Sequence, residues 1–266
     1  MNAQTSTIHA GPVLLLREGA VAVLQFSRPE AMNALDVPTV QAFLTACRSV
    51  AADPGVRAVV VRGTGRSFGV GGDLAAMRTD TQTVAIELID NLHAGVQRLA
   101  AMDAPVIASL HGAVAGGSFS LALACDLAIA AEGTHFNLAY TRIGTSCDGS
   151  SSWHLPRIVG LRRAMEIALL CDTFDAQQAL RLGLVNRVVP LPDLERETMA
   201  LAQRLARGPT LAFGRVKRLL RESFDNSLGT QLDAEREAFR ASTLTRDFGE
   251  GLDAFFAKRP AVFEGR

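Results

Sequence analysis

Asp53-Pro54-Gly55-Val56-Arg57-Ala58-Val59-Val60-Val61-Arg62-Gly63-Thr64-Gly65-Arg66-Ser67-Phe68-Gly69-Val70-Gly71-Gly72-Asp73 decides how the chain is read. A turn signal, Asp53-Pro54-Gly55, leads into an alanine–valine run between Arg57 and Arg62. Such a run has no polar face, so it predicts a strand covered on both sides, as parallel strands are. A glycine-dense loop from Gly63 to Asp73 follows. The same pattern recurs at Pro105 to Leu110, where His111-Gly112 leads to a second glycine group ending at Gly117.

Working outward, Val21 to Phe26 predicts a strand ended by Arg28-Pro29, and Val13 to Leu16 is the first apolar run. Asp36 precedes a helical pattern from Val37 to about Ala51, with Pro38 in the first turn where its missing N–H costs nothing. Thr83 to Met102 reads as a long amphipathic helix and Ser118 to Ala124 as a shorter one. Strands are expected at Asp126 to Ala130, His135 to Leu138 and Leu184 to Val189, with helices between the last two. Strands alternating with helices argue for an α/β fold with a largely parallel sheet. Beyond Arg207-Gly208-Pro209 only helices are predicted: Leu211 to Phe224, Gln231 to Leu244 and Phe248 to Ala257. This divides the chain into a core, residues 1–206, and a helical C-terminal region, residues 207–266.

The 266 residues are 48% hydrophobic and 20% charged, enough to bury a sizeable core. Lys plus Arg and Asp plus Glu both number 27, so no net field draws nucleic acid or an anionic membrane, and neither is an expected partner. Cys47, Cys125, Cys147 and Cys171 form no CxxC pair, which fits reduced thiols in a cytoplasm. Met1 to Ala10 lacks a basic, apolar leader, and Leu121 to Ala131 is interrupted by Asp126 and too short to span a bilayer. The histidines show no paired metal spacing, so no metal site is expected.

Glycine lets backbone N–H groups face a ligand without side-chain obstruction, and the start of a helix adds orphan donors that favour negative charge. Two such N–H groups facing each other form an oxyanion hole. Turn formation and close packing are the alternative use of these glycines. Rival motifs fail on residues: after Gly63 and Gly65 a dinucleotide fingerprint needs glycine where Phe68 stands, and Gly116-Gly117-Ser118-Phe119-Ser120 ends in serine where a nucleophile elbow needs glycine. Ser118, His111 and Asp126 supply the residue types of a triad, and Cys147 is a second conceivable nucleophile, but neither has supporting spacing.

Arg28-Pro29 with Asn33-Ala34-Leu35, Ser67 to Leu74, His111 to Gly117 and Cys125-Asp126 together resemble the crotonase (enoyl-CoA hydratase/isomerase) superfamily. Gly183 to Val189 and the tail Glu250-Gly251 to Lys258-Arg259-Pro260 extend that resemblance over nearly the whole chain. It implies a crotonase-like ββα spiral core followed by a helical trimerisation region, a homotrimer or dimer of trimers, and an acyl-CoA thioester as substrate. Coenzyme A is then part of the substrate and no separate cofactor is expected. The resemblance places the oxyanion donors at the backbone N–H of Gly72 and Gly117, and losing one such donor costs about 2.7–4 kcal/mol of transition-state stabilisation. It sets adenine against the backbone near Phe68 to Val70, and makes Arg28 and Lys258 candidates for the CoA phosphates.

The family's hydratases use two glutamates, whose places are taken here by Ser120 and Tyr140, neither a base at neutral pH. Asp148 remains, at the position where double-bond-shifting members carry an aspartate; the alternative is that it caps the helix expected near Gly149. Ser152-Trp153 with Leu155-Pro156-Arg157, and Gln231 to Arg236, further resemble the epoxyphenylacetyl-CoA isomerases. The expected activity is therefore that of an acyl-CoA isomerase that shifts a double bond, or rearranges a ring-epoxide acyl group, with Asp148 as acid and base. Ser120, Tyr140 and Trp153 are expected to shape the acyl pocket. The alternatives are an enoyl-CoA hydratase and a non-catalytic CoA-thioester-binding protein.

Overall fold

Ala58, Val59, Val60 and Val61 are all buried, but they face two different cores. The computed structural model of the chain describes residues 6–78 and 80–266, and its central sheet explains the split. The N-terminal strands β1 (Ser6–His9), β2 (Val13–Glu18) and β3 (Val21–Phe26) pair antiparallel. Helix α1 (Val37–Ala52) crosses to β4 (Ala58–Gly63), which lies parallel to β3. After the glycine loop come α2 (Leu74–Met77) and α3 (Thr81–Ala101), then β5 (Val106–Leu110), parallel to β4. A short β6 (Ala113–Ala115) leads directly into α4 (Gly116–Ala124), followed by β7 (Leu127–Ala131) and β8 (His135–Asn137).

Helices α5 (Ser151–Val159) and α6 (Leu161–Leu170) then run to β9 (Phe174–Asp175), α7 (Ala176–Arg181) and β10 (Arg187–Val189). The main sheet has the order β1-β2-β3-β4-β5-β7-β10, and β6, β8 and β9 form a second, three-stranded sheet. Because side chains alternate across a strand, Val59 and Val61 face α1, α3 and α4. Ala58 and Val60 face Leu194, Leu201 and Ala202 of α8 (Leu194–Ala206). The sheet is thus the middle of three layers, as its unbroken apolar strands require.

Three expectations are corrected. Helix α4 starts at Gly116, two residues before the predicted Ser118. The strand expected over Leu184 to Val189 is confined to Arg187–Val189. Leu184 N–H instead donates to Ala179 O in the turn after α7, and the Asn186 side chain accepts from Ala128 N. Strands β6 and β9 were not expected, since two or three residues carry no readable periodicity.

The boundary at residue 206 falls between α8 and α9 (Thr210–Glu222), which is followed by α10 (Leu228–Thr243) and α11 (Arg246–Phe256). Helix α9 is fastened to the core electrostatically. Asp126, 13% exposed, accepts from Lys217 Nζ at 2.7 Å, from Arg221 at 2.8 Å and from Val106 N at 2.8 Å. Lys217 also donates to Ala104 O, and its own burial depresses its basicity. Among the described residues no helix is long and apolar enough to cross a membrane.

Removing one member of a buried charge cluster leaves the others desolvated and unpaired. Asp126→Ala is therefore expected to destabilise the fold by about 3 kcal/mol or more, read by urea denaturation. Near-neutral behaviour would mean that apolar packing alone docks α9.

Candidate active site

The glycine loop is built by hydrogen bonds from residues far apart in sequence. Asn33, buried with φ of 56°, donates through Nδ2 to Thr64 O and Ser67 O and accepts from Arg28 N. Gly69 exchanges backbone bonds with Ala113 and Ala115 of β6. Leu35 N–H donates to Gly71 O, and Leu35 O accepts from Asp73 N. These bonds pair Leu35 with the residue between them, Gly72. In an extended chain successive peptide groups alternate in direction, so the N–H of Gly72 points away from Leu35.

The same loop passes against the start of α4. Gly71 N–H donates to the Ser118 hydroxyl at 3.1 Å, drawing the loop onto the helix. The approach is so close that a Cβ on Gly71 would lie 3.0 Å from Gly117 N and 3.1 Å from Ala115 O, and Gly71 has φ of +88°. Only glycine fits both constraints. As the second residue of α4, Gly117 has no intrahelical acceptor for its own N–H. Gly72 and Gly117 line one cavity of about 420 Å³, with Leu35, Val70, Leu88, Ile89, Tyr140 and Asp148 among its other walls. Two glycines from separate segments thus border one mainly apolar chamber.

Asp148 does not cap a helix. Helix α5 begins at Ser151 behind Ser150 with no side-chain cap, and the Asp148 carboxylate instead accepts from the Tyr140 hydroxyl at 2.5 Å. The Ser120 hydroxyl lies 3.0 Å behind that of Tyr140, so the three form a chain ending on Asp148. Burial and the adjacent Asp148 charge push the Tyr140 phenol well above its ordinary value near 10. Tyr140 therefore stays protonated, which lets it donate to the carboxylate. His93, which no sequence motif marks, accepts from Gly149 N at 3.0 Å through Nε2.

Other expected site residues lie elsewhere or are already engaged. Trp153 does not line this cavity: its ring packs under the Arg157 guanidinium, 4.1 Å away, on a separate surface dent with Asp225 and Glu222. Ser120 is fully buried behind Tyr140 rather than in the wall. Phe68 is a core side chain against Phe26, while Val70 does line the cavity. Arg28 donates to Ala34 O and pairs with Asp36 and Asp73, so it clasps the loop that the glycines occupy. Lys258 is exposed on the C-terminal tail and is not among the residues lining the cavity.

The triad residues are apart: Ser118 serves Gly71, His111 contacts Gly65 O, and Asp126 holds α9. All four cysteines are free, and burial pushes the Cys47 and Cys125 thiols up. Among the described residues no three His, Cys, Asp or Glu side chains converge as metal ligands.

Residues 17–266 match the enoyl-CoA hydratase/isomerase family. The chain belongs to that family. It is 39% identical over 249 residues to the "Probable enoyl-CoA hydratase" of Rhodobacter capsulatus, covering 92% of this chain and 95% of that one. It is 35% identical to the 1,2-epoxyphenylacetyl-CoA isomerase of Escherichia coli, covering 94% and 97%. A crystal structure of an enoyl-CoA hydratase from Polaromonas sp. JS666 superposes with a TM-score of 0.90 at 34% identity, covering 96% of this chain and all of that one. The architecture is therefore the crotonase-family fold, with mixed sheet and appended helices.

Two measurements probe this enoyl-CoA hydratase/isomerase family site directly. Tyr140 is the single tyrosine, so ultraviolet titration reports on it alone. No tyrosinate should form near pH 10 while the protein is folded, and Asp148→Asn should bring ionisation down toward that value. Since the folded-state value lies above the unfolded one, Tyr140 contributes stability below about pH 10 that is lost as pH rises further. Gly71→Ala should lower stability by roughly 1–2 kcal/mol from backbone strain and weaken binding of a CoA thioester in calorimetry. Retained affinity would separate the loop's approach from ligand recognition.

Proposed function

We propose that the chain is an acyl-CoA isomerase that shifts a carbon–carbon double bond, or rearranges a ring-epoxide acyl group, through an enolate. The observation that carries this reading is that Asp148 is the one acidic side chain among the described residues lining the cavity that Gly72 and Gly117 also line. The thioester oxygen would accept from the N–H groups of Gly72 and Gly117, which stabilise the negative charge that develops on it. The Asp148 carboxylate would take a proton from a carbon next to the polarised system and return it to another carbon, consuming no water. Tyr140, held protonated, donates to Asp148 and offers no second base.

A hydratase is the second reading, favoured by the Rhodobacter capsulatus relative's description. It asks one carboxylate to activate water and, with Ser120 and Tyr140 in place of acids, leaves protonation of the neighbouring carbon without a partner. The CoA portion would run past Val70, and Arg78 is the cationic residue among those lining the cavity. Lys258 would meet the phosphates of a neighbouring subunit's CoA. Leu228, Leu232, Phe239, Phe255 and Phe256 are exposed on the C-terminal helices, an apolar surface suited to burial in a trimer or dimer of trimers.

Incubation of a 3-enoyl-CoA in D₂O, followed by mass spectrometry, tests the reaction class. The account expects deuterium incorporation, a shifted double bond and no added water, with Asp148→Asn slowing exchange roughly 10²–10⁴-fold. Gain of one water identifies a hydratase. Tight binding with no exchange identifies a protein that holds the thioester without turning it over.

A further inference from the structure

Asp148 sits in a stretch without regular structure between the turn at Tyr140–Ile143 and α5. A carboxylate that must meet a carbon atom needs its position held to a fraction of an ångström, and loops hold positions less well than helices. Four bonds fix it. The carboxylate accepts from Tyr140, and the Asp148 carbonyl accepts from the Ser151 N–H and hydroxyl. Both partners lie within twelve residues of Asp148 in the chain. The fourth bond comes from a distant element, since Gly149 N–H donates to His93 Nε2 on α3.

Helix α3 also forms a wall of the cavity through Ala85, Leu88 and Ile89. Leu92, beside His93, lies 3.7 Å from a Cβ built on Gly117 and 3.4 Å from one built on Gly149. This turn of α3 therefore touches the second oxyanion donor and the acid–base loop together. At Gly149 itself φ is +59° and a Cβ would meet Ser120 at 2.7 Å, so the peptide reaches His93 only because residue 149 has no side chain. A backbone N–H can only donate, so Nε2 carries no proton and the ring is the neutral Nδ1–H tautomer. A lysine or arginine there would offer no acceptor.

We propose that His93 is a positioning residue: its neutral imidazole anchors the Gly149 peptide to α3 and thereby holds the Asp148 carboxylate in register with Gly117. This rests on the isomerase reading for its consequence in catalysis, but its structural half stands alone. The test compares His93→Leu, which removes the acceptor and keeps bulk, with His93→Gln, whose side-chain oxygen can accept near the Nε2 position. Amide hydrogen exchange at Gly149 and steady-state kinetics with the 3-enoyl-CoA are both read.

His93→Leu should speed Gly149 exchange by roughly tenfold or more. It should lower kcat by roughly 10²-fold, with KM within about twofold, because misplacement of the base acts on the chemical step. His93→Gln should restore both readouts to near wild type. The proposal is overturned if His93→Leu leaves Gly149 exchange unchanged, if Gln rescues no better than Leu, or if the loss falls on KM with kcat retained. Absence of turnover by the wild type would instead overturn the isomerase reading, and Gly149 exchange would still decide whether His93 anchors the loop.

Discussion

The contact on which the site depends is the passage of the Gly71 backbone across the first turn of α4. A peptide group normally carries a side chain that keeps other backbones away. Here φ of +88° and a Cβ that would lie 3.0 Å from Gly117 N strain any side chain at residue 71, and the Ser118 hydroxyl ties the two segments together. Their meeting follows from the sheet. Strands β4 and β5 are parallel neighbours, so the loops that leave their C-terminal ends emerge side by side, the place where open parallel sheets gather ligands. Arg28, Asn33 and Leu35 then hold the first loop in place, and of the three only Leu35 also lines the cavity.

The proposed donors at Gly72 and Gly117 are backbone groups, so they carry no selectivity for one reaction. Selectivity enters through what stands across the cavity. A tyrosine that burial and a neighbouring carboxylate keep protonated can donate but cannot serve as a base. With Ser120 behind it, the proton-accepting capacity of this wall is concentrated on Asp148. One base that can give back the proton it takes suits a reaction that moves a hydrogen within the substrate better than one that adds the elements of water.

The parallel core was legible in the sequence because Arg57 to Arg62 and Pro105 to Leu110 contain too many apolar residues to have an exposed face. The helix start at Asp36 was legible because its side chain accepts from Thr39 N, as a cap must. Gly72, Gly117, Tyr140 and Asp148 do line one cavity. What could not be read was direction and partnership. Arg28 was a candidate for phosphates, yet Asp36 and Asp73 lie within reach of its guanidinium. Trp153 packs against Arg157 on an exposed face of α5 and does not line that cavity. His93 carried no signal, since one histidine on an amphipathic helix has the same pattern whether or not a backbone N–H finds it. Strands β6 and β9 were too short to show a period.

The central claim is that Gly72 and Gly117 polarise a thioester carbonyl in this cavity, and vibrational spectroscopy tests it most directly. A CoA thioester labelled with ¹³C at its carbonyl would be bound to the protein and the isotope-edited C=O stretch recorded. Two hydrogen bonds from preorganised peptide donors should lower that frequency below its value for the free thioester in water, and Gly71→Ala should return it toward the free value. A bound carbonyl vibrating at or above the free frequency would contradict the account, because the oxygen would then lie outside the reach of both glycines.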